Sequence, residues 1–240
     1  MGSGRESLFH KRKAPRKNRD EEIRELRAVQ WLIVCEGFTE QHYFKALIKS
    51  LNMDKDSIRT VGEGHNTTRL VDKVDNYFDS VDKICGKQHI PYNNERIVFV
   101  FDKDDFSANN FNNAIKMAED RYPGCTVAWS NESFELWLCL HFDYVQSPLH
   151  RGAYNDKLTE IFRKNGIFNK RQSFDYNGKN DAQLYEKINQ CGGSLDNAIK
   201  WSKRLADSQN LNNPAKANPV TMVYKAVQVL REEFNVSQPT

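Results

Sequence analysis

The sequence predicts an α/β fold: a mainly parallel four-stranded sheet flanked by helices, followed by a helical C-terminal part. Two observations support this prediction. Strand-like apolar segments alternate with amphipathic helical segments in the first part of the chain, which is typical of a parallel sheet covered on both faces. From about residue 150 the strand signals stop and only helical periodicity remains. We therefore divide the chain into a basic flexible tail (1–27), an α/β domain (28–150) and a helical extension packed on it (151–240).

Four segments predict the strands of the sheet because they are short, apolar and rich in β-branched and aromatic residues. They cover residues 29–35, 57–61, 96–101 and 125–130. The first segment ends at Glu36 and Gly37, and the third runs directly into Asp102. Acidic residues are therefore expected at the carboxyl ends of two strands.

Amphipathic segments predict the helices that connect and follow these strands. The first of them follows Gly37 and has Thr39 in position to cap it. The clearest one covers residues 67–84, where apolar residues recur every three or four positions. The other predicted helices cover residues 107–121, 132–142, 153–164, 180–190, 194–207 and 219–233.

The apolar pattern and the cysteines favour a cytoplasmic protein. The sequence contains no run of about 18 apolar residues, so we expect no membrane-spanning helix. The N-terminus is basic without an apolar stretch behind it, so we expect no signal peptide. The five cysteines form no Cys-x-x-Cys pair, which favours reduced thiols over disulfides or a zinc site.

The net charge of +3 comes from the N-terminal tail. Residues 1–27 hold nine Lys and Arg against five Asp and Glu, which leaves 26 against 27 in the remainder of the chain. A run of this kind is usually flexible and solvated. In the alternative interpretation, Lys11, Arg12 and Lys13 belong to an arm that binds nucleic-acid phosphates through counterion release.

A second basic cluster lies in the segment FRKNGIFNKRQSFDYNGKN of the helical extension. It places Arg163, Lys170 and Arg171 among aromatic residues that include Phe168 and Phe174. Basic and aromatic side chains in alternation suit single-stranded or looped nucleic acid, because unpaired bases stack on aromatic rings. A solvated loop anchored by buried phenylalanines explains the same letters equally well.

The segment RIVFVFDKDDF delivers Asp102, Asp104 and Asp105 to the end of a buried strand, and Glu36 ends another. Functional groups of open parallel sheets collect beyond the carboxyl ends of their strands. Asp102 and Asp104 point the same way if the chain stays extended there. Carboxylates in such proximity need a cation, and their hard oxygen atoms suit Mg²⁺ or Mn²⁺. The alternative is an ordinary Asp-rich turn.

These acidic strand ends also carry a resemblance to known proteins. A strand ending in Glu-Gly, followed by one ending in Asp-x-Asp, resembles the Toprim domain of topoisomerases, bacterial primases and overcoming-lysogeny-defect nucleases. Four blocks in order, LIVCEGFTEQHYF, VFVFDKDDF, AWSNESFELWLCLHF and NPVTMVYKAVQVL, resemble the RloB/AbiLii family. The resemblance covers most of residues 30–232 and implies a Toprim-like α/β domain.

The resemblance implies roles for five acidic residues. Glu36, Asp102 and Asp104 would be the catalytic residues, with Glu36 as general acid or base. The same three residues would bind Mg²⁺ or Mn²⁺. Asp105 would be an additional carboxylate at the metal site, and Glu135 a further ligand from the segment after the fourth strand.

The resemblance further implies a Mg²⁺-dependent Toprim-type nuclease that acts on DNA or on RNA, including tRNA. Such a protein would be the effector of an anti-phage or abortive-infection system, with an ABC- or AAA-type ATPase encoded nearby as its partner. The alternative is a module that binds nucleic acid or nucleotide without cleaving it and serves as the partner of an ATPase. In a third interpretation the helical part is mainly an interface, for a homodimer or for the ATPase.

Overall fold

A computed structural model of the chain describes residues 18–62, 69–86, 93–167 and 175–234. In these ranges the strands form one sheet. They are β1 (Trp31–Cys35), β2 (Ile58–Gly62), β3 (Ile97–Asp102), β4 (Thr126–Asn131) and β5 (Val220–Thr221). Their order across the sheet is β2-β1-β3-β4-β5, and all neighbours are parallel except β4 and β5. The predicted α/β class with a mainly parallel sheet is confirmed.

The helices of the described ranges connect and follow these strands. They are α1 (Arg19–Ala28), α2 (Phe38–Ser50), α3 (Arg69–Cys85), α4 (Ala108–Arg121), α5 (Glu135–Cys139), α6 (Arg151–Lys164), α7 (Leu184–Gln190), α8 (Leu195–Asp207) and α9 (Val223–Glu233). The helices α2, α3 and α4 each connect one parallel strand to the next along the chain. The predicted helical C-terminal part is confirmed in α6 to α9.

The sheet has five strands, and the prediction of four is wrong. The additional strand β5 pairs antiparallel with β4, with Ser130 opposite Thr221 and Asn131 opposite Val220. A strand of two residues is too short to show the alternation that identifies strands, and this one lies at the start of a predicted helix. Its pairing supplies hydrogen-bond partners to the backbone groups at the buried edge of β4. These groups need partners only once the chain has folded and buried them.

Part of the predicted flexible tail is helical. Asn18 caps α1 by accepting a hydrogen bond from the Asp20 amide at 3.5 Å, and Arg27 lies in the last turn of the helix. Acidic residues near the start and a basic residue near the end of a helix complement its dipole. Helix α1 packs on α3, where the Ile23 carbonyl lies 4.0 Å from the Cys85 sulfur. The basic residues that precede Asn18 lie outside the described residues.

The core consists of two layers, one on each face of the sheet, because successive strand residues point to opposite faces. Ile33 and Val98 pack with residues of α2 and of the C-terminal helices α5 to α9. Leu32 and Phe99 pack on the other face with α3 and α4. The helical extension therefore shares a core with the α/β domain, and its first helix α6 begins beside the carboxyl edge of the sheet.

Helices in the described part of the chain lack the combination of length and apolar character that crossing a membrane requires. The longest of them, α3, has 17 residues and carries charged side chains along its length.

Candidate functional site

A cavity of about 750 Å³ opens at the carboxyl ends of β1 and β3. A volume of this size is typical of a ligand site. Its described lining contains five carboxylates, which come from the ends of β1 and β3, from the turn after β3, and from the first turns of α2 and α5. They are Glu36, Glu40, Asp102, Asp104 and Glu135. We call this cavity the acidic pocket.

The sheet brings Glu36 and Asp102 together, as the sequence predicts. The strands β1 and β3 are parallel neighbours, so their ends meet at one edge. One oxygen of Glu36, Oε2, accepts a hydrogen bond from the backbone amide of Asp102 at 3.2 Å. Glu36 is half-buried, whereas Asp102 is 4% exposed.

Asp104 also lines the acidic pocket, but strand alternation does not place it there. The strand β3 ends at Asp102, and Asp104 adopts a left-handed backbone conformation with φ of 41°. Its amide donates to the Glu132 carbonyl at 2.9 Å, which fixes the turn. This turn leads Asp105 outward, so that Asp105 is exposed and does not line the pocket. The predicted role of Asp105 as a metal ligand therefore gains no support from its position.

Arg151, the first residue of α6, joins three of these carboxylates. Its Nη1 lies 2.6 Å from Asp104 Oδ2, its Nη2 lies 3.0 Å from Asp102 Oδ2, and its Nε lies 3.6 Å from Glu135 Oε2. No pattern in the sequence pointed to Arg151 as a site residue. The local sequence around it, HRGAY, is ordinary for the start of a helix, and Arg151 lies 49 positions from Asp102 along the chain.

Glu40 is a second residue that the sequence analysis missed. It lies in the first turn of α2 and is 5% exposed. Acidic residues are common in first helical turns, so the position gave no functional signal. The glycine at position 37 makes room for this carboxylate, because a Cβ there would lie 2.6 Å from Glu40 Oε2. The sequence Glu36-Gly37-Phe38-Thr39-Glu40 therefore delivers two acids to one pocket.

Glu135 reaches the acidic pocket from the short helix α5, as predicted, and is 8% exposed. Its Oε1 accepts a hydrogen bond from the Tyr176 hydroxyl at 3.4 Å. Tyr176 is buried and belongs to the segment that closes the pocket from the side of the helical extension. The C-terminal part therefore contributes both a cation and a hydroxyl group to this site.

The carboxylates of the pocket repel one another, and burial strengthens the effect. Burial raises the pKa of Asp102 well above its usual value, the neighbouring Glu40 and Glu135 raise it further, and Arg151 offsets part of the shift. Burial together with Glu135 and Glu36 raises the pKa of Glu40 to about 7. Burial and mutual repulsion thus make the charged forms of Asp102 and Glu40 more costly unless positive charge enters the pocket.

The chemistry of this pocket fits Mg²⁺ or Mn²⁺, although its present arrangement is closed around Arg151. Among the described residues, no three His, Cys, Asp or Glu side chains are arranged to hold a metal ion. The buried oxygens Asp102 Oδ1, Glu40 Oε2 and Glu135 Oε2 nevertheless have no hydrogen-bond partner. Carboxylate oxygens are the protein ligands that hard divalent cations prefer. The donor set is therefore suitable, and a small rearrangement would be needed for binding.

The predicted nucleic-acid-binding residues are only partly described. Lys11, Arg12, Lys13, Lys170 and Arg171 lie outside the described residues. Arg163 is exposed on α6 and forms an ion pair with Asp175 at 2.7 Å. It lines a shallow cavity next to the acidic pocket, together with Lys164 and the acidic residues Asp156, Glu160 and Asp175. This surface has mixed charge, so its geometry does not single out Arg163 as a phosphate contact.

Gly178 closes the wall of the acidic pocket where a larger residue would not fit. A Cβ at this position would overlap the Tyr176 hydroxyl and lie 2.5 Å from Thr39 Cγ2. We expect Gly178→Ala to lower the free energy of unfolding by roughly 2 kcal/mol, because overpacking forces buried side chains to move. Urea denaturation followed by tryptophan fluorescence measures this change.

Gly152→Ala is the matched control for this prediction. A Cβ at Gly152 would come no closer than 3.6 Å to His150 Nδ1, and alanine favours the helix α6. We expect this control to be as stable as the wild type or more stable. In addition, Tyr176→Phe should recover part of the loss in the Gly178→Ala background. Equal stability of the two alanine variants would contradict the predicted steric role of Gly178.

Comparisons with known proteins complete the description of the site. A family model described as RloB-like protein matches residues 31–230, which include the five carboxylates and Arg151. No curated protein and no solved structure matches the chain.

Proposed function

The chain belongs to the RloB-like protein family, and from this premise we propose that its acidic pocket is the active site of a Mg²⁺- or Mn²⁺-dependent nuclease. One observation carries the proposal. Five carboxylates from separate segments converge in one cavity at the carboxyl edge of the sheet, and three of them have buried oxygens without a hydrogen-bond partner. Such a cluster costs stability and shifts pKa values, which is typical of functional sites.

The residues divide into two roles in this proposal. Asp102, Asp104 and Glu135 would hold the metal, since they already share one cation, Arg151. Glu36, at the half-buried edge of the pocket, would accept or donate the proton of the reacting water or leaving group. A bound ion would supply charge neutralisation at the phosphodiester and a more acidic water. These roles of Glu36, Asp102 and Asp104 agree with those that the Toprim resemblance implies, and the resemblance itself stays a prediction.

The mouth of the pocket favours nucleic acid as the substrate. Phe38 lines the cavity and is 44% exposed, which is unusual for a phenylalanine. Lys179 lies exposed in the same lining. An exposed ring and a cation in the lining of one cavity suit a nucleotide, whose base stacks on the ring while its phosphate pairs with the charge. We therefore propose single-stranded or looped DNA or RNA, including tRNA, as the substrate class.

A second candidate function is a module that binds nucleic acid or nucleotide without cleaving it. The observation that favours it is the position of Arg151, whose guanidinium occupies the space between the carboxylates. In both functions we propose the setting that the family resemblance implies: a cytoplasmic effector of phage defence controlled by a neighbouring ABC- or AAA-type ATPase. Homodimerisation through the helical part belongs to the same proposal.

A cleavage assay tests the proposed nuclease. Purified full-length protein would be incubated with single-stranded DNA, plasmid DNA or total tRNA in Mg²⁺ or Mn²⁺, alone and together with the neighbouring ATPase. We expect at least one substrate to be cleaved, and we expect EDTA or the Glu36→Gln substitution to stop cleavage. Asp120→Asn, an exposed acid on α4, is the matched control and should cleave at the wild-type rate.

The outcomes of this assay separate the two functions. Metal-dependent cleavage that Glu36→Gln removes would support the nuclease. If the protein binds nucleic acid but cleaves no substrate, with or without the ATPase, the nuclease proposal fails and the binding module replaces it. Cleavage that survives both EDTA and Glu36→Gln would come from a contaminant or another site.

A further inference from the structure

We propose that Arg151 is an internal cation that competes with the divalent metal for the acidic pocket. In this inference the described arrangement is a closed state, in which the guanidinium holds Asp102, Asp104 and Glu135 in place of the ion. The inference rests on the proposed function, because it concerns the regulation of the same site. It adds a switch inside the chain that controls when the site becomes competent.

The contacts of Arg151 favour the interpretation that it substitutes for a metal ion over the interpretation that it forms an ordinary surface ion pair. One guanidinium collects carboxylates from the end of β3, from the turn that follows it and from α5. Asp102 and Glu135 are buried, so these charges would repel strongly without a cation between them. Arg151 carries its positive charge under all ordinary conditions, because the pKa of a guanidinium lies far above neutral pH.

Arg151 replaces the ion only in part, because it leaves some buried polar atoms of the pocket without a hydrogen bond. Asp102 Oδ1 has no hydrogen-bond partner, and Glu135 Oε2 and Arg151 Nε lie 3.6 Å apart, which is too far for a hydrogen bond. A guanidinium is planar and carries one positive charge, so it satisfies oxygens only in its own plane. A divalent ion accepts oxygen ligands from all directions and supplies twice the charge. The buried oxygens without partners therefore match the ion better than they match Arg151.

Arg151 can leave the carboxylates without unfolding its helix. It is the first residue of α6, and its side chain is 30% exposed. Tyr154 and Leu158, one and two turns later, are fully buried and anchor the helix in the core. A rotation of the side chain toward solvent is therefore enough to free the carboxylates. The released guanidinium would remain at the pocket, where it could pair with a substrate phosphate.

Competition of this kind lowers the apparent affinity for metal. If the site binds metal only in those molecules from which Arg151 has withdrawn, the apparent Kd equals the intrinsic Kd divided by the fraction of such molecules. Arg151→Gln removes the competing charge and keeps a polar side chain of similar reach. We expect this variant to bind Mn²⁺ at least about tenfold more tightly than the wild type.

Titration calorimetry with Mn²⁺ on the full-length protein tests the inference directly and needs no substrate. The matched control is Arg121→Gln on α4, since Arg121 also forms ion pairs with two aspartates, Asp72 and Asp75, but lies away from the acidic pocket. We expect this control to bind Mn²⁺ as the wild type does. Guanidinium ion at low millimolar concentration, added back to Arg151→Gln, should weaken Mn²⁺ binding again and should have no such effect on the wild type.

The results distinguish this inference from the proposed function. Weaker Mn²⁺ binding by Arg151→Gln would overturn the inference, because Arg151 would then organise the ligands. Unchanged binding would overturn it as well, because Arg151 would then have no effect on the metal. The nuclease proposal would survive that result, provided that the wild type binds Mn²⁺. If neither protein binds Mn²⁺, both fail. Should Arg151→Gln not fold, Arg151→Met replaces it, since methionine fills much of the same space without a charge; affinity no tighter than wild type would again overturn the inference.

Discussion

Replacing Asp102 by asparagine is expected to reduce metal-dependent cleavage by at least about a thousandfold, since a central metal ligand is lost. The same substitution is expected to leave the folded protein as stable as the wild type, or more stable. Burial and the neighbouring Glu40 and Glu135 raise the pKa of Asp102, which means that the fold disfavours its charged form. An amide of the same shape removes that cost, while Arg151 keeps its contacts with Asp104 and Glu135.

Two measurements on the same preparations check this prediction. Initial cleavage rates in Mn²⁺ give the functional effect. Urea denaturation gives the free energy of unfolding, and both measurements are made at about pH 7.5. Asp120→Asn serves as the control for a neutral amide at an exposed position. If activity and stability fell together in Asp102→Asn, Asp102 would have a structural role. Activity within a few-fold of the wild type would remove Asp102 from the proposed metal ligands.

Replacing Glu40 by glutamine is expected to stabilise the protein at pH 8 and to change little near pH 4. The folded chain raises the pKa of Glu40 from 4.5 to about 7, through burial and the neighbouring Glu135 and Glu36. The wild type therefore gains stability from the protonated carboxyl group below about pH 4.5 and loses it as the pH rises through 7. Glutamine does not titrate, so the advantage of the variant grows over this window and reaches roughly 3 kcal/mol.

The difference between variant and wild type must be followed, because other groups titrate in the same range. Burial lowers the pKa of His141 to about 4, so its contribution to stability changes in the opposite sense as the pH falls below 6.5. This contribution is common to both proteins and cancels in the difference. Urea denaturation from pH 4 to pH 8, with the exposed Glu119→Gln as control, supplies the data. A difference that is constant with pH would show that Glu40 acts through packing alone.

The acidic edge of the sheet could be predicted from the sequence because it depends on local pattern and on one general property of parallel sheets. The apolar segments 97–101 and 31–35 are each followed directly by an acid, Asp102 and Glu36. Their carboxyl ends must meet if the strands are parallel neighbours. That rule places Glu36 and Asp102 at one edge of the sheet, and the structure adds that β1 and β3 are neighbours and that the two residues are in contact.

The turn after β3 could not be predicted in the same way. Alternation along an extended strand suggested that Asp102 and Asp104 point the same way, but the strand ends at Asp102 and the chain enters a left-handed turn at Asp104. The turn depends on the hydrogen bond from the Asp104 amide to the Glu132 carbonyl, across to the segment after β4. Asp105 is exposed for this reason, although it is the same residue type as Asp102 and Asp104.

The α/β class, the approximate positions of the four parallel strands and the acids at two strand ends could be predicted from the sequence, because periodicity and strand ends are local properties. Three features arise only when the chain folds: the short strand β5, the burial of Glu40 and the contacts of Arg151 with Asp102 and Asp104. These features depend on contacts between segments that lie far apart in the chain. A sequence pattern records which side chains are available, whereas packing decides which charges share a pocket.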